Sequence, residues 1–273
     1  MLKPSLRVFG TVLTIATTAA LFQFSTIPAL AAGETPSATA SASATPSDAA
    51  TQAPKPTQTP IPQVYNFDPS QYSLTQVSSP WIVVNKITPL SPTSYKPKSL
   101  VKPSFDSPKV NNPSGQVLAR SAANALVRLA RTMKADGAGD LILQSAYRSF
   151  ASQTAVHAKQ VARLGTAKGE ALAARPGYSE HQTGLAADVA AVGQGCVIQI
   201  CFAKTRAGSW LAARAYEFGF IIRYPKGKTS TTGYQYEPWH LRFVGVSLAG
   251  EMRRNKVSVL ESFWKLPAAP AYK

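Results

Sequence analysis

The chain has 273 residues, and 29 Lys and Arg residues against 13 Asp and Glu residues give it a formal net charge of +16. A protein this basic is attracted to anionic surfaces. The basic residues are scattered along the chain and no nucleic-acid recognition motif accompanies them, so we do not expect nucleic acid as a partner.

The N-terminus has the pattern of a secretory signal peptide. Lys3 and Arg7 precede an apolar run at residues 8–22, and the small-residue pattern Ala-Leu-Ala follows at residues 29–31. The run is interrupted by glycine and threonine, and it is shorter than the roughly 20 apolar residues that cross a membrane. We therefore predict a signal peptide at residues 1–31, secretion, and no stable membrane insertion after cleavage.

A segment of low complexity follows at residues 32–64. It consists almost entirely of Ser, Thr, Ala, Pro and Gln, and it contains no aromatic side chain and no large aliphatic one before Ile61. Such a segment cannot bury enough apolar surface to offset its chain entropy, so we predict a disordered spacer. The spacer is either a tether or plain filler. Residues 65–273 have mixed aliphatic and aromatic content and suit one compact domain.

The first half of that domain begins with a helical pattern. Ser114 precedes apolar residues at helical spacing, and the pattern ends at Gly137, which predicts a helix. Residues 141–146 then indicate a short buried strand. Ser149 is a suitable N-cap for a second helix at residues 150–164.

The second half mixes strands and helices in the same way. Residues 165–178 indicate a loop with one helical turn, residues 185–192 a buried strand that contains Asp188, and Thr205 begins a helix that ends at Gly219. Further strands are expected at residues 220–224 and 239–244, and a closing helix at residues 246–255. This order favours an α+β fold, a single domain in which a small, mostly antiparallel sheet is flanked by helices.

The only two cysteines, Cys196 and Cys201, lie five positions apart and downstream of the predicted signal peptide. In an oxidising compartment this spacing is typical of a local disulfide. Metal binding by both thiolates is the alternative, but no further cysteine exists to complete a structural zinc site.

Two of the three histidines occur close to acidic residues. His181 precedes Asp188 by seven positions, and Glu237 precedes His240 by three. A buried carboxylate such as Asp188 costs several kcal/mol unless an arginine or a metal compensates its charge. Two imidazoles and one carboxylate bind zinc and leave a fourth position open for water, which is the arrangement of a catalytic site. His157 lies mid-helix without an acidic partner at helical spacing, so we expect it to be structural.

Two further residues extend this hypothesis to hydrolysis. Pro238 interrupts the regular alternation of a strand, so Glu237 and His240 can face one metal, and Glu237 then suits the role of general base. Arg148, at the end of a predicted strand, suits the stabilisation of a developing oxyanion. Taken singly, each of these residues is more often structural, and only their combination favours a metal site.

The motifs around these residues are those of a known family. Its patterns Ser-x-His-x-x-Gly-x-Ala-x-Asp and Glu-x-x-His, with Trp before the last His, are matched by Ser179, His181, Gly184, Ala186, Asp188, Glu237, Trp239 and His240. The chain thereby resembles the VanY-type D-alanyl-D-alanine carboxypeptidases, zinc peptidases related to the VanX D,D-dipeptidases. The resemblance covers residues 79–243 and includes Tyr-Arg-Ser at residues 147–149.

The resemblance implies a zinc cleft on the sheet. In it, His181, Asp188 and His240 would bind Zn²⁺ and Glu237 would act as the catalytic base. It also implies substrate contacts, which are carried by Arg148, Gln153 and Ser179. Arg148 would stabilise the scissile carbonyl, and the other two would hold the terminal carboxylate of the substrate.

The function that the resemblance implies is removal of the terminal D-alanine from peptidoglycan stem peptides, outside the cytoplasm or at the cell wall of a bacterium. The alternatives are an L,D-carboxypeptidase, a D,D-dipeptidase or an endopeptidase on the same peptides, and a non-catalytic wall-binding module. We expect a monomer. Anionic cell-wall polymers are the partner that we expect for the basic surface, with simple solubility as the alternative.

Overall fold

The computed structural model describes residues 66–273. The predicted signal peptide at residues 1–31 and the predicted spacer at residues 32–64 lie outside the described residues. Within the described range, no helix is long and apolar enough to cross a membrane.

Within residues 66–273, two antiparallel sheets carry the fold. The strands are β1 (Leu100–Val101), β2 (Leu118–Ala119), β3 (Leu141–Ser145), β4 (Ala186–Ala191), β5 (Phe220–Tyr224) and β6 (Glu237–Phe243). Strands β1 and β2 form a small pair, and the other four form a sheet in the order β3-β4-β6-β5. Every neighbouring pair of strands is antiparallel.

Helices flank this sheet, as the predicted α+β class requires. They are α1 (Pro108–Asn111), α2 (Arg120–Ala135), α3 (Phe150–Leu164), α4 (Thr166–Glu170), α5 (Arg206–Arg214), α6 (Thr229–Thr232), α7 (Val246–Arg254) and α8 (Leu260–Phe263). Short 3-10 helices lie at Glu180–Thr183, Ile200–Lys204 and Ala215–Phe218.

The largest of the buried apolar clusters lies on one face of the four-stranded sheet. Leu126, Leu129 and Met133 of α2 are fully buried there, in one cluster with Val189 of β4 and Leu241 of β6. Each such side chain contributes about 1.5–3 kcal/mol on burial. Because side chains alternate between the faces of a strand, the residues adjacent to Val189 and Leu241 are directed to the opposite face.

The predicted elements are confirmed with shifts at their ends. Ser149 caps α3 by accepting a hydrogen bond from the Ser152 amide, and Thr205 caps α5 through the Gly208 amide. The helix expected after Ser114 begins only at Arg120. Its predicted first turn is wrong because residues 118–119 pair with β1 instead.

Candidate metal centre and active site

Two of the predicted ligands face each other across neighbouring strands. In the register of β4 and β6, Asp188 is paired directly with His240. Directly opposed residues of an antiparallel pair lie on the same face of the sheet, and Ala187 and Val189, which flank Asp188, belong to the core on the other face. Asp188 Oδ1 lies 3.2 Å from His240 Nδ1, and both side chains are buried.

His181 reaches the same point from the 3-10 helix that precedes β4. Gly184 ends that helix at a φ of 71°, a left-handed conformation that glycine adopts without steric cost. His181 Nε2 then lies 3.2 Å from Asp188 Oδ2. Its other ring nitrogen, Nδ1, lies 2.6 Å from the carbonyl oxygen of Ala146. A proton on Nδ1 is donated to that carbonyl and leaves the Nε2 lone pair directed towards Asp188.

These three side chains fit a metal ion. One ligand atom from each of His181, Asp188 and His240 lies within 4.8 Å of the other two. Asp188 Oδ1 is buried and has no hydrogen-bond partner in the part of the chain that the structure describes. Burial lowers the pKa of His181, which favours the neutral imidazole that a metal binds. Two imidazoles and one carboxylate are a donor set typical of catalytic zinc.

Glu237 lies beside His240 because the pairing of β6 is irregular. Residues three apart in a regular strand are directed to opposite faces. Here Tyr224 pairs with Glu237 and Ile222 with Leu241, so this part of β6 is two residues longer than the part of β5 that it faces. Glu237 Oε2 lies 3.4 Å from His240 Nδ1. Burial raises the pKa of Glu237 above the usual value of 4.5, which suits a general base.

A cleft of about 190 Å³ opens at these side chains, and Arg148 and Ser179 line it as well. Gln153 is not among the lining residues. It is fully buried, and its Nε2 donates to the carbonyl oxygen of Ala174, which does line the cleft. Of the three residues predicted to contact substrate, Arg148 and Ser179 therefore line the cleft, and Gln153 lies behind its wall. The substrate-binding role of all three stays a prediction.

The predicted disulfide between Cys196 and Cys201 is present and lies near the cleft. The loop that it closes carries Ile198, which lines the cleft. Ile198 is also 42% exposed. The disulfide loop therefore presents an apolar side chain to the cleft that Glu237 and the predicted ligands also line.

Glu180, which occupies a variable position of the first motif, is a site residue that the sequence did not predict. Its carboxylate is completely buried and accepts hydrogen bonds from Arg223 and Arg242, at 2.7 Å each. Burial alone would raise the pKa of Glu180, but the two guanidinium groups hold it well below its usual range. An arginine within each of two predicted strands was the signal that an acidic partner was needed if those strands were buried.

His157 also has a partner that helical spacing did not show. Its Nε2 lies 3.4 Å from Glu170 Oε1 of α4. Glu170 in turn accepts a hydrogen bond from Arg175 at 2.7 Å. This contact agrees with a structural role for His157, which is not among the residues that line the cleft.

Comparison with known proteins gives concordant matches. Residues 115–246 match the family model described as VanY, D-alanyl-D-alanine carboxypeptidase. The putative carboxypeptidase YodJ of Bacillus subtilis is 38% identical over 184 residues, which are 67% of this chain and 67% of YodJ. Matches to enterococcal D-alanyl-D-alanine carboxypeptidases span less than half of those proteins.

Two solved structures are similar over most of their own length. The LdcB LD-carboxypeptidase has a TM-score of 0.63 and 35% identity, covering 69% of this chain and 87% of LdcB. A mutant of the vancomycin resistance D,D-pentapeptidase VanY, in complex with Zn(II), has a TM-score of 0.56 and 30% identity, covering 69% of this chain and 99% of that protein.

Proposed function

We propose, from the premise that this chain belongs to the VanY family of D-alanyl-D-alanine carboxypeptidases, that it is a zinc-dependent carboxypeptidase of peptidoglycan stem peptides. Its reaction is the hydrolytic release of the terminal D-alanine. The observation that carries the proposal is the convergence of His181, Asp188 and His240 at one buried point, beside Glu237.

In this proposal His181, Asp188 and His240 hold one Zn²⁺ ion. When bound, zinc supplies Lewis acidity that activates water and polarises a carbonyl group. Asp188 contributes one negative charge, and the two imidazoles bind as neutral ligands. Their burial excludes bulk water, so electrostatic interactions inside the cleft are stronger than at an exposed site.

Glu237 moves the protons of the reaction. As a carboxylate, it accepts a proton from the water whose oxygen attacks the scissile carbonyl carbon. As a carboxylic acid, it then donates that proton to the amide nitrogen as the C–N bond breaks. Its raised pKa suits both steps, because the group must gain and lose a proton within one turnover.

Arg148, Ser179 and Gln153 bind the substrate in this proposal. Arg148 lines the cleft, and its charge adds to burial in lowering the pKa of His181, which is consistent with a guanidinium close to the reacting carbonyl. Its positive charge would stabilise the oxyanion that forms on attack. Ser179 lines the cleft, which supports a contact with the terminal carboxylate of the substrate. Gln153 is fully buried behind the wall of the cleft and supports that wall through Ala174.

We further propose that the enzyme is exported and acts at the cell wall. The signal-peptide pattern at residues 1–31 supports export, and the spacer at residues 32–64 would tether the domain at residues 65–273. Without Lys3 and Arg7 of the signal peptide, the remaining formal net charge of +14 would draw the protein to anionic wall polymers.

An L,D-carboxypeptidase that acts on tetrapeptides is the second candidate. The observation in its favour is that the similar LdcB LD-carboxypeptidase has a TM-score of 0.63, against 0.56 for the VanY mutant. A non-catalytic wall-binding module is disfavoured, because such a protein would not need Glu237.

The test is product analysis by mass spectrometry. The purified mature protein is incubated with a muramyl pentapeptide and, separately, with the tetrapeptide, in the presence of zinc. Release of one alanine from the pentapeptide is the expected result, and release from the tetrapeptide alone would establish the L,D activity. If both peptides stay intact, the proposed function is wrong.

A further inference from the structure

A cluster of charged side chains lies directly behind His240. Glu180, Arg223, Arg242 and Glu261 have no exposed side-chain surface. Arg223 bridges the two carboxylates, since its Nε donates to Glu180 and both terminal nitrogens donate to Glu261. Burying four charges is costly, and the reaction as described above uses none of them.

The arginines bind only one oxygen of Glu180. Arg223 Nε and Arg242 Nη1 each donate to Oε1 at 2.7 Å. The second oxygen, Oε2, lies 3.7 Å from Nε2 of His240. Both of these facing atoms are buried, and neither has a hydrogen-bond partner among residues 66–273. Buried polar atoms nearly always have a hydrogen-bond partner. Two unpaired atoms that face each other therefore indicate a hydrogen bond between them that would form at a shorter distance.

The orientation of the His240 ring determines which of its two nitrogens faces the metal site. Nδ1 is turned towards Asp188, at 3.2 Å, on the side of the metal site. A neutral imidazole carries one proton and one lone pair, so a proton on Nε2 leaves the lone pair on Nδ1. The Ala146 carbonyl has the equivalent effect on His181, where it accepts from Nδ1 and leaves the Nε2 lone pair free.

We propose that Glu180 is a positioning residue that accepts the Nε2 proton of His240 and so fixes the tautomer and ring orientation in which His240 binds zinc. Arg223 and Arg242 hold the other oxygen of Glu180 and so aim Oε2 at the ring. This inference rests on the metal site of the proposed function. The buried charges then contribute to metal binding, because a carboxylate that is hydrogen-bonded to a metal-binding histidine fixes the orientation of its ring.

The variant Glu180→Gln reverses the hydrogen-bond polarity at His240. Two guanidinium groups require an acceptor, so the oxygen of the new side-chain amide would stay with Arg223 and Arg242, and the amide NH₂ group would face His240 Nε2. That nitrogen would then accept, and the proton would move to Nδ1, where it blocks the metal. We expect zinc affinity, measured by competition with a chromophoric chelator, to fall about 10- to 100-fold.

Glu261→Gln is the matched control. It removes one negative charge from the same buried cluster, but Glu261 contacts Arg223 and Asn85 and does not touch His240. Both variants should lower the unfolding midpoint, whereas only Glu180→Gln should lower zinc affinity. Equal zinc affinity in wild type and Glu180→Gln, or an equal loss in both variants, would overturn the inference.

A measurement on the unmutated protein covers the case in which Glu180→Gln does not fold. The ¹⁵N chemical shifts of the three histidines in the zinc-loaded protein distinguish the two tautomers. We expect a protonated Nε2 for His240 and a protonated Nδ1 for His181. A protonated Nδ1 on His240 would refute the role of Glu180, whereas a wild-type protein that binds no zinc would refute the proposed function itself.

Discussion

Arg223 offers a quantitative test of the buried charge cluster. The substitution Arg223→Met removes three hydrogen bonds of 2.7–3.0 Å to two fully buried carboxylates. Glu180 then keeps only Arg242, and Glu261 keeps only the Asn85 amide at 3.0 Å. Removing one partner of a buried ion pair costs about 3–5 kcal/mol, because the remaining charge is left uncompensated. For a domain of this size that loss lowers the unfolding midpoint by about 6–20 °C.

Thermal unfolding followed by circular dichroism measures this effect. Arg131→Met is the control, because its pair with Asp106 is exposed and should leave the midpoint unchanged. Adding Glu261→Gln to Arg223→Met should cost less than the sum of the two single changes, since it removes one of the uncompensated charges. A loss below about 1 kcal/mol for Arg223→Met, or full additivity in the double variant, would refute this reasoning.

Three further predictions concern the site and its surroundings. Glu237→Gln should lower kcat by about 10²- to 10⁴-fold and leave zinc content unchanged in elemental analysis; full activity would disprove its role as the base. Glu237 must be deprotonated to act as the base, and burial raises its pKa. We therefore expect kcat/KM to fall as the pH drops through a value above 4.5. A fall that occurs only at or below pH 4.5 would contradict this assignment. Replacing Cys196 and Cys201 together by serine should cost only about 2 kcal/mol in denaturant unfolding, because the loop spans five positions; a loss above about 4 kcal/mol would show that the loop has a larger structural task.

Much of the fold was accessible from local sequence patterns. The apolar run around Asp188 indicated a buried strand, and its alternation correctly separates Ala187 and Val189, in the core, from Asp188 on the opposite face. Ser149 and Thr205 were recognisable as caps because their hydroxyl groups precede helical patterns. The two motifs identified the residues that converge in the cleft.

Long-range pairings were not accessible in the same way. Glu180 finds its arginine partners 43 and 62 positions further along the chain, and no local pattern indicates which basic residue will face a given carboxylate. For the same reason the apolar pattern after Ser114 predicts one continuous helix, although Leu118 pairs with Val101 of β1. The close approach of Glu237 and His240 depends on the irregular pairing of β6 with β5, and Pro238 was its only sequence signal.

In the proposed function, hydrolysis depends on one zinc ion held by His181, Asp188 and His240. Titration of the chelator-treated protein with zinc, with D-alanine release from the pentapeptide as the readout, tests it most directly. We expect no release before zinc is added, a linear rise that ends at one equivalent, and no rise in Asp188→Ala. Release that persists without zinc, or that is restored by zinc in Asp188→Ala, would contradict the claim.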